Sequence, residues 1–438
     1  MTILALLLGL QVASAPRNPL QTLGLSQLGA HRMLTDLTTN IGARVSGSPN
    51  AAKAVVWVET HMKSIGLTHI HQIPCMVPHW ARGTVERATM NGRTKLTICA
   101  LGGSVPTPKG GIEAEVVEVR SLKEAEELGA KAKGKIVFFN RPFDPSLENT
   151  FAAYGGAVDQ RGRGATAAAK SGAVGVLVRS MTLATDDAPH TGAMNYGDGV
   201  KIPAAALGIQ SAEKLHAALA AGLHPRVRFE QNCQTFPDAP SASVAGEIRG
   251  SEHPEEVIVV GGHLDSWDLG RGAHDDGAGI TQSLEALRLL KAAGWKPKRT
   301  IRMVAFMNEE NGGRGAKAYA EKAAKSSEKH YAAIESDSGG FMPRSFGVSE
   351  SKLESVRKWE SILRPFGIER FTAGGGDADI SPLEPLGTIL FALKPENQRY
   401  FDYHHSRNDT IDKVNPRELE FGAIAMAQLA WLISEEGI

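Results

Sequence analysis

Five clusters of imidazole and carboxylate side chains are spaced so that they could hold a cation and move a proton. Gly262-His263-Leu264-Asp265 follows the apolar run Val257–Val260, which leaves His263 at the mouth of a buried strand with Asp265 two residues on. An acid at that distance can orient the imidazole through its other ring nitrogen, as metal-bound histidines commonly require. His274-Asp275-Asp276 lies among Gly272, Gly277 and Gly279 at the start of a helical pattern. These aspartates could cap the helix and meet its dipole, or present a carboxylate on a backbone that glycine lets approach closely. Glu309 and Glu310 follow the apolar strand Thr300–Met307. Adjacent charges at such a place need a partner or solvent, and one can hold a cation while its neighbour transfers a proton.

Glu335-Ser336-Asp337-Ser338-Gly339-Gly340 again follows an apolar run, and Tyr403-His404-His405 leads into Ser406-Arg407-Asn408-Asp409-Thr410. Successive side chains of a strand alternate, so only one of His404 and His405 is expected in a shared site. Nitrogen and carboxylate donors without thiolate pairs suit Zn²⁺. His274 is expected outside the metal shell or as an extra ligand. Tyr400, Phe401 and Tyr403 could wall a substrate site or belong to the core.

The elements that must carry these clusters alternate from Ser243 onward. Strand Glu256–Gly261, helix Ala278–Ala293, strand Thr300–Met307, helix Gly315–Lys325 and strand Ala332–Ser336 predict an α/β unit. Its sheet should be mixed, mostly parallel and flanked by helices. Each cluster then sits at a strand end, the edge where open α/β sheets bind ligands. Residues 28–66 read as two helices and a loop. From about Val77 the texture becomes short β runs, including Lys95–Leu101 and Ile112–Val119, separated by glycine and proline. A strand over Gly134–Phe139, a helix over Ala165–Ser171, strands over Ala173–Val178 and Pro203–Leu207, and a helix over Ser211–Ala220 complete a smaller β-rich unit.

The motifs GHLDSWD, HDDGAG, NEENGG, ESDSGG and YHHSRNDT, in that order, resemble the di-zinc aminopeptidase and glutamate carboxypeptidase family. The likeness extends from about Met76 through the C-terminal region. It implies two Zn²⁺ per chain, with His263 and Asp337 on one ion, Glu310 and His405 on the other, and Asp275 bridging. His405 fits the family's H-x-x-x-D-T spacing to Asp409 and Thr410. Glu309 becomes the general base, Asp265 supports His263, and Asp379 matches a family aspartate near the substrate, with Asp377 close by. The run GKIVFFNRPF followed by AAAKSGAVGVLV resembles the protease-associated domain. The implied organisation is an export signal at 1–15, a first part of the zinc exopeptidase domain at 16–80, an inserted β-rich lid at 81–242, and the rest of that domain at 243–438. A metallo-exopeptidase cutting dipeptides or short peptides, and forming a homodimer, is what the resemblance implies. A glutaminyl cyclase-like single-zinc acyltransferase and a non-catalytic metal-binding receptor are the rivals.

Bulk properties agree with this class and exclude others. Lys plus Arg and Asp plus Glu are balanced at 48 each over 438 residues, so no basic field is available for nucleic acid. Met1–Ala15 is apolar and ends Ala13-Ser14-Ala15, the pattern of an exported protein's signal, which predicts a secreted or periplasmic enzyme. No later run approaches the ~20 apolar residues of a membrane span. Cys75, Cys99 and Cys233 form no C-x-x-C pair; one disulfide among them is open in an oxidising compartment.

Overall fold

The computed structural model describes residues 18–438, so the expected export signal at 1–15 lies outside the described residues. Two eight-stranded sheets carry the fold. Across the first, the order is Thr68–Ala81, Gln234–Ile248, Arg299–Phe306, His253–His263, Lys329–Glu335, Ile389–Pro395, Pro343–Val348, Arg370–Ala373. The four strands from Arg299–Phe306 through Ile389–Pro395 run parallel, and antiparallel partners flank them. Their apolar runs, such as Val257–Val260 and Met303–Phe306, are fully buried because helices cover both faces. Helices Pro49–Ile65, Ala278–Ala292 and Pro416–Glu436 pack on one face, and Arg314–Lys325 on the other. The mixed, largely parallel α/β sheet is therefore as the sequence predicts.

Strands Pro343–Val348, Arg370–Ala373 and Ile389–Pro395 and the C-terminal helix complete this layer beyond the elements read from the sequence. The second sheet has the order Thr94–Leu96, Glu86–Met90, Arg226–Gln231, Ile112–Val119, Ile136–Phe139, Gly175–Arg179, Ala204–Leu207, Ile98–Ala100. Helix Asp159–Lys170 covers one of its faces and helix Ile209–Ala220 the other.

The boundary expected at 242 falls inside strand Gln234–Ile248, which pairs antiparallel with Thr68–Ala81 along most of its length. The chain thus leaves the second sheet near Gln231 and not after residue 242. The first half of this strand, Gln234–Pro240, is largely exposed, and its Phe and Pro residues do not alternate with polar ones, so it lacks the apolar alternation that marks a half-buried strand in a sequence. Cys75, Cys99 and Cys233 are all free thiols. Among the described residues, no helix is long and apolar enough to cross a membrane.

Candidate metal centre and active site

The clusters converge at the carboxyl ends of the parallel strands. His263 ends strand His253–His263, Glu309 and Glu310 follow Arg299–Phe306, Asp337 follows Lys329–Glu335, and His405 lies beyond Ile389–Pro395. Asp275 sits between the two imidazoles: its Oδ1 is 3.1 Å from His263 Nε2 and its Oδ2 is 3.1 Å from His405 Nε2. Asp337 Oδ1 lies 3.4 Å from His263 Nε2, and Glu310 Oε2 lies 2.9 Å from His405 Nε2. The five residues form two halves that share one carboxylate.

The hydrogen bonds set the tautomer of the first half. His263 Nδ1 is 3.0 Å from the Asp265 carbonyl oxygen, which can only accept, so Nδ1 carries the proton. In the neutral ring Nε2 then presents a lone pair to two carboxylates, an arrangement that a cation between them reconciles. Asp275 Oδ2 is buried without a hydrogen-bond partner among the described residues. Burial lowers the His263 pKa, but Asp337 and Asp275 outweigh it and hold the imidazole well above its ordinary value. Burial also drives the Glu309 carboxyl well up, with Asp337 and Glu310 adding to it against the pull of His263. Buried carboxylates in this number call for a compensating positive charge, so the donor set fits a metal.

Backbone N–H groups are fixed by acids that lie behind the cluster. Asp276 Oδ2 accepts from His263 N–H at 3.0 Å. Asp409 accepts from the N–H groups of His274 and Asp275 at 2.6 and 3.2 Å. The fully buried Arg44 donates to the carbonyls of Leu264, Arg271 and Gly272 and ties the two loops that carry His263 and Asp275. Arg44 was not among the residues read from the sequence, because a lone arginine after a helix has no local signature.

Several expectations need correction. The Asp265 carboxylate does not reach the imidazole: its Oδ1 is 3.8 Å from His263 Nδ1. It accepts instead from Asn308 N–H at 2.7 Å, Glu309 N–H at 3.1 Å and the Ser46 hydroxyl at 2.8 Å. Two residues of reach let the carbonyl meet the ring while the side chain turns to the next strand end. His274 is no extra ligand. Its ring is stacked on Phe341 and Tyr403, and Nδ1 accepts from Gly340 N–H at 3.1 Å. His404 is not turned away, since it leaves the short helix Tyr400–Tyr403 and not a strand, so alternation does not apply. Its ring stacks on His405 with centroids 3.5 Å apart, and Nε2 is 3.8 Å from Asp275 Oδ2.

A cavity of about 230 Å³ opens on this cluster, lined by Asp275, Glu309, Glu310, Asp337, His404 and His405. Tyr400 and Phe401 form part of its wall, as do Phe151, Tyr154 and Arg161 from the second-sheet segment. Tyr403 stands apart against His274. Arg161 is buried, and its Nε has no hydrogen-bond partner among the described residues. Asp379 is buried with neither carboxylate oxygen partnered among the described residues, and burial, with Glu335 adding to it, holds its pKa well up. Asp377 pairs with Lys394 at 2.7 Å and lines a wider adjoining cavity that shares Asp337 and Phe151.

The comparisons with known proteins agree with this site. Residues 243–430, which hold all five clusters, match the model of peptidase family M28. Carboxypeptidase Q of Mus musculus is 36% identical over 416 residues, covering 94% of this chain and 87% of that protein. The chain belongs to peptidase family M28. Carboxypeptidase Q of Homo sapiens is 35% identical with 94% and 86% covered. A crystal structure described as a peptidase M28 precursor from Shewanella amazonensis SB2B superposes with a TM-score of 0.91 at 33% identity, covering 96% of each chain. The fold also extends to a zinc aminopeptidase of Bacillus subtilis, with a TM-score of 0.66 at 22% identity, 92% of this chain and 94% of that one covered. This M28 chain is thus a metallopeptidase, close in sequence to carboxypeptidase Q.

Proposed function

We propose that the chain is an exported co-catalytic exopeptidase that uses two zinc ions to hydrolyse dipeptides or short peptides. The observation that carries this reading is Asp275, with one carboxylate oxygen turned to each imidazole. His263 and Asp337 would hold one ion, Glu310 and His405 the other, and Asp275 both. Bound there, zinc supplies Lewis acidity toward a carbonyl oxygen and brings the pKa of water near neutrality. Glu309 faces the same cavity and is held by its own N–H on Asp265. It takes the proton as water attacks the scissile carbonyl and returns it to the leaving amine.

The second-sheet segment supports a lid reading, with the protease-associated resemblance of residues 134–178 behind it. Phe151, Tyr154 and Arg161 close one side of a cavity with room for a short peptide. Among the described lining residues Arg161 is the one guanidinium, facing a space otherwise rich in carboxylates. Its planar fork suits the free carboxylate of a substrate C-terminus. The apolar Met1–Ala15 run supports export, to the periplasm or the medium.

The test is zinc content together with dipeptide hydrolysis for the wild type and Glu309→Gln. Two zinc ions per chain in both proteins, with turnover lost by at least ~10²-fold only in the variant, is the expected result. Full metal with undiminished turnover in the variant removes Glu309 as base. One ion per chain favours the single-zinc acyltransferase, and no metal with no hydrolysis favours a binding protein.

A further inference from the structure

The two halves of the centre are held differently. The His263 side is fixed within the first sheet, by Asp276 at its backbone N–H and by the Asp265 carbonyl at its ring. The Glu310 and His405 side is held by the loop after strand His253–His263 and by a loop of the second sheet. Glu310 Oε1 accepts from Trp267 N–H at 3.2 Å, and the His405 carbonyl accepts from Thr191 N–H at 2.9 Å.

Both of these contacts lead to one side chain. Arg82 is 8% exposed. Its Nε lies 2.9 and 3.0 Å from the two Asp268 oxygens, and its NH2 nitrogen 2.6 Å from Asp268 Oδ1. The same NH2 nitrogen donates to Thr191 Oγ1 at 3.2 Å. The NH1 nitrogen donates to Glu86 at 3.0 Å and to the Ala100 carbonyl at 2.6 Å. Asp268 directly follows Trp267, whose ring fills the space beside Gly102, where a Cβ would lie 1.8 Å from the indole. Thr191 in turn donates its hydroxyl to Ala100 and accepts from Arg161 at its carbonyl.

We infer that Arg82 is a positioning residue for the Glu310 and His405 half of the metal centre, an inference that rests on the two-ion reading. Its guanidinium clamps Asp268, which fixes the Trp267 N–H on Glu310, and it grips Thr191, which fixes the N–H on the His405 carbonyl. Outer-sphere partners of this kind hold a ligand in its binding orientation, and their removal costs about 10–100-fold in metal affinity. Arg82 and Asp268 therefore set the affinity for one ion and leave the other to the first sheet. The planar, bidentate geometry is also one that lysine cannot reproduce.

The experiment titrates metal-free full-length protein with zinc against a chromophoric chelator, for the wild type, Arg82→Met, Arg82→Lys and Asp268→Asn. The expected result is two sites in the wild type. Arg82→Met keeps one site at wild-type affinity and weakens the other about 10–100-fold, with Arg82→Lys failing to restore it. Two wild-type affinities in Arg82→Met, or equal weakening of both, overturns the inference. If Arg82→Met does not fold, Asp268→Asn decides on the same criterion, since it alters one atom of the clamp. A wild type that takes up fewer than two ions removes the two-ion reading itself, and the inference with it.

Discussion

Asp265 shows how a residue can sit at the right place in a sequence for a different reason than its spacing suggests. Its carbonyl fixes the His263 tautomer, while its carboxylate holds the backbone of Asn308 and Glu309. On the proposed reading, Asp265→Asn is therefore expected to lower kcat about tenfold or more with zinc content unchanged, because Glu309 loses its anchor and His263 does not. Loss of zinc in that variant would return the carboxylate to the histidine. Arg161→Met is expected to raise KM for a dipeptide about tenfold or more with a smaller change in kcat. The corresponding dipeptide amide, which offers no anion, should show no such penalty, and parallel kinetics on the two substrates check this. His263, Glu310 and Asp337 were legible because each ends or follows a buried strand, where charge has no packing explanation, whereas Asp275 and His405, beside short helical segments, were legible only through their motifs. Arg44 and Arg161 were not legible, since an isolated arginine in a helix or loop differs from a solvated one only by what folds onto it.

Elements were legible where apolar runs were continuous. Strands Ile136–Phe139 and Gly175–Arg179 and helix Ala278–Ala292 lie within a few residues of their sequence reading. Strand Gln234–Ile248 was not, because half of it is an exposed ribbon without apolar alternation whose partner, Thr68–Ala81, lies far away in sequence. Pairing at that distance leaves no local trace. The loop from Leu264 to Arg271 was read only for its motif, yet it is the seam between the sheets. Trp267 packs there with Trp80, Ala100 and Cys233. Gly102→Ala places a methyl against the indole at a distance no contact allows, so the seam must open. Overpacking of this kind costs about 1–3 kcal/mol. A lower thermal midpoint with reduced peptidase activity is expected, measured against Gly162→Ala, where an added Cβ meets nothing within 4 Å, as a control.

At the scale of the whole molecule, the centre is one of several places where ionisable groups are buried, and two others set opposite pH responses. His330 is buried against Tyr319, with its Nε2 3.0 Å from the phenol oxygen. Burial, reinforced by Arg302 and opposed by Glu328, lowers its pKa to about 4. The unfolded chain takes up this proton below about pH 6.5 and the folded one only near 4, so the stability it contributes is complete above 6.5 and lost as pH falls through that window. His330→Gln should flatten part of the acid loss in a series of urea midpoints. Glu420 works in the other direction. Its Oε2 accepts from Ala30 N–H at 3.1 Å, and burial beside Glu285 pushes its pKa up to about 9. Folding then keeps a proton that the unfolded carboxyl releases above about 4.5, so stability is full below that pH and declines as pH rises toward 9. Arg288 is paired with Glu285 and offsets the second carboxyl only in part. Glu420→Gln, a neutral match for the protonated acid, is expected to stabilise the protein at pH 7 on the order of 1–3 kcal/mol. The gain should vanish below pH 4.5, and urea midpoints of the two proteins at pH 4 and pH 7 measure it. An equal gain at both values would mean that the carboxyl is destabilising by shape and not by charge.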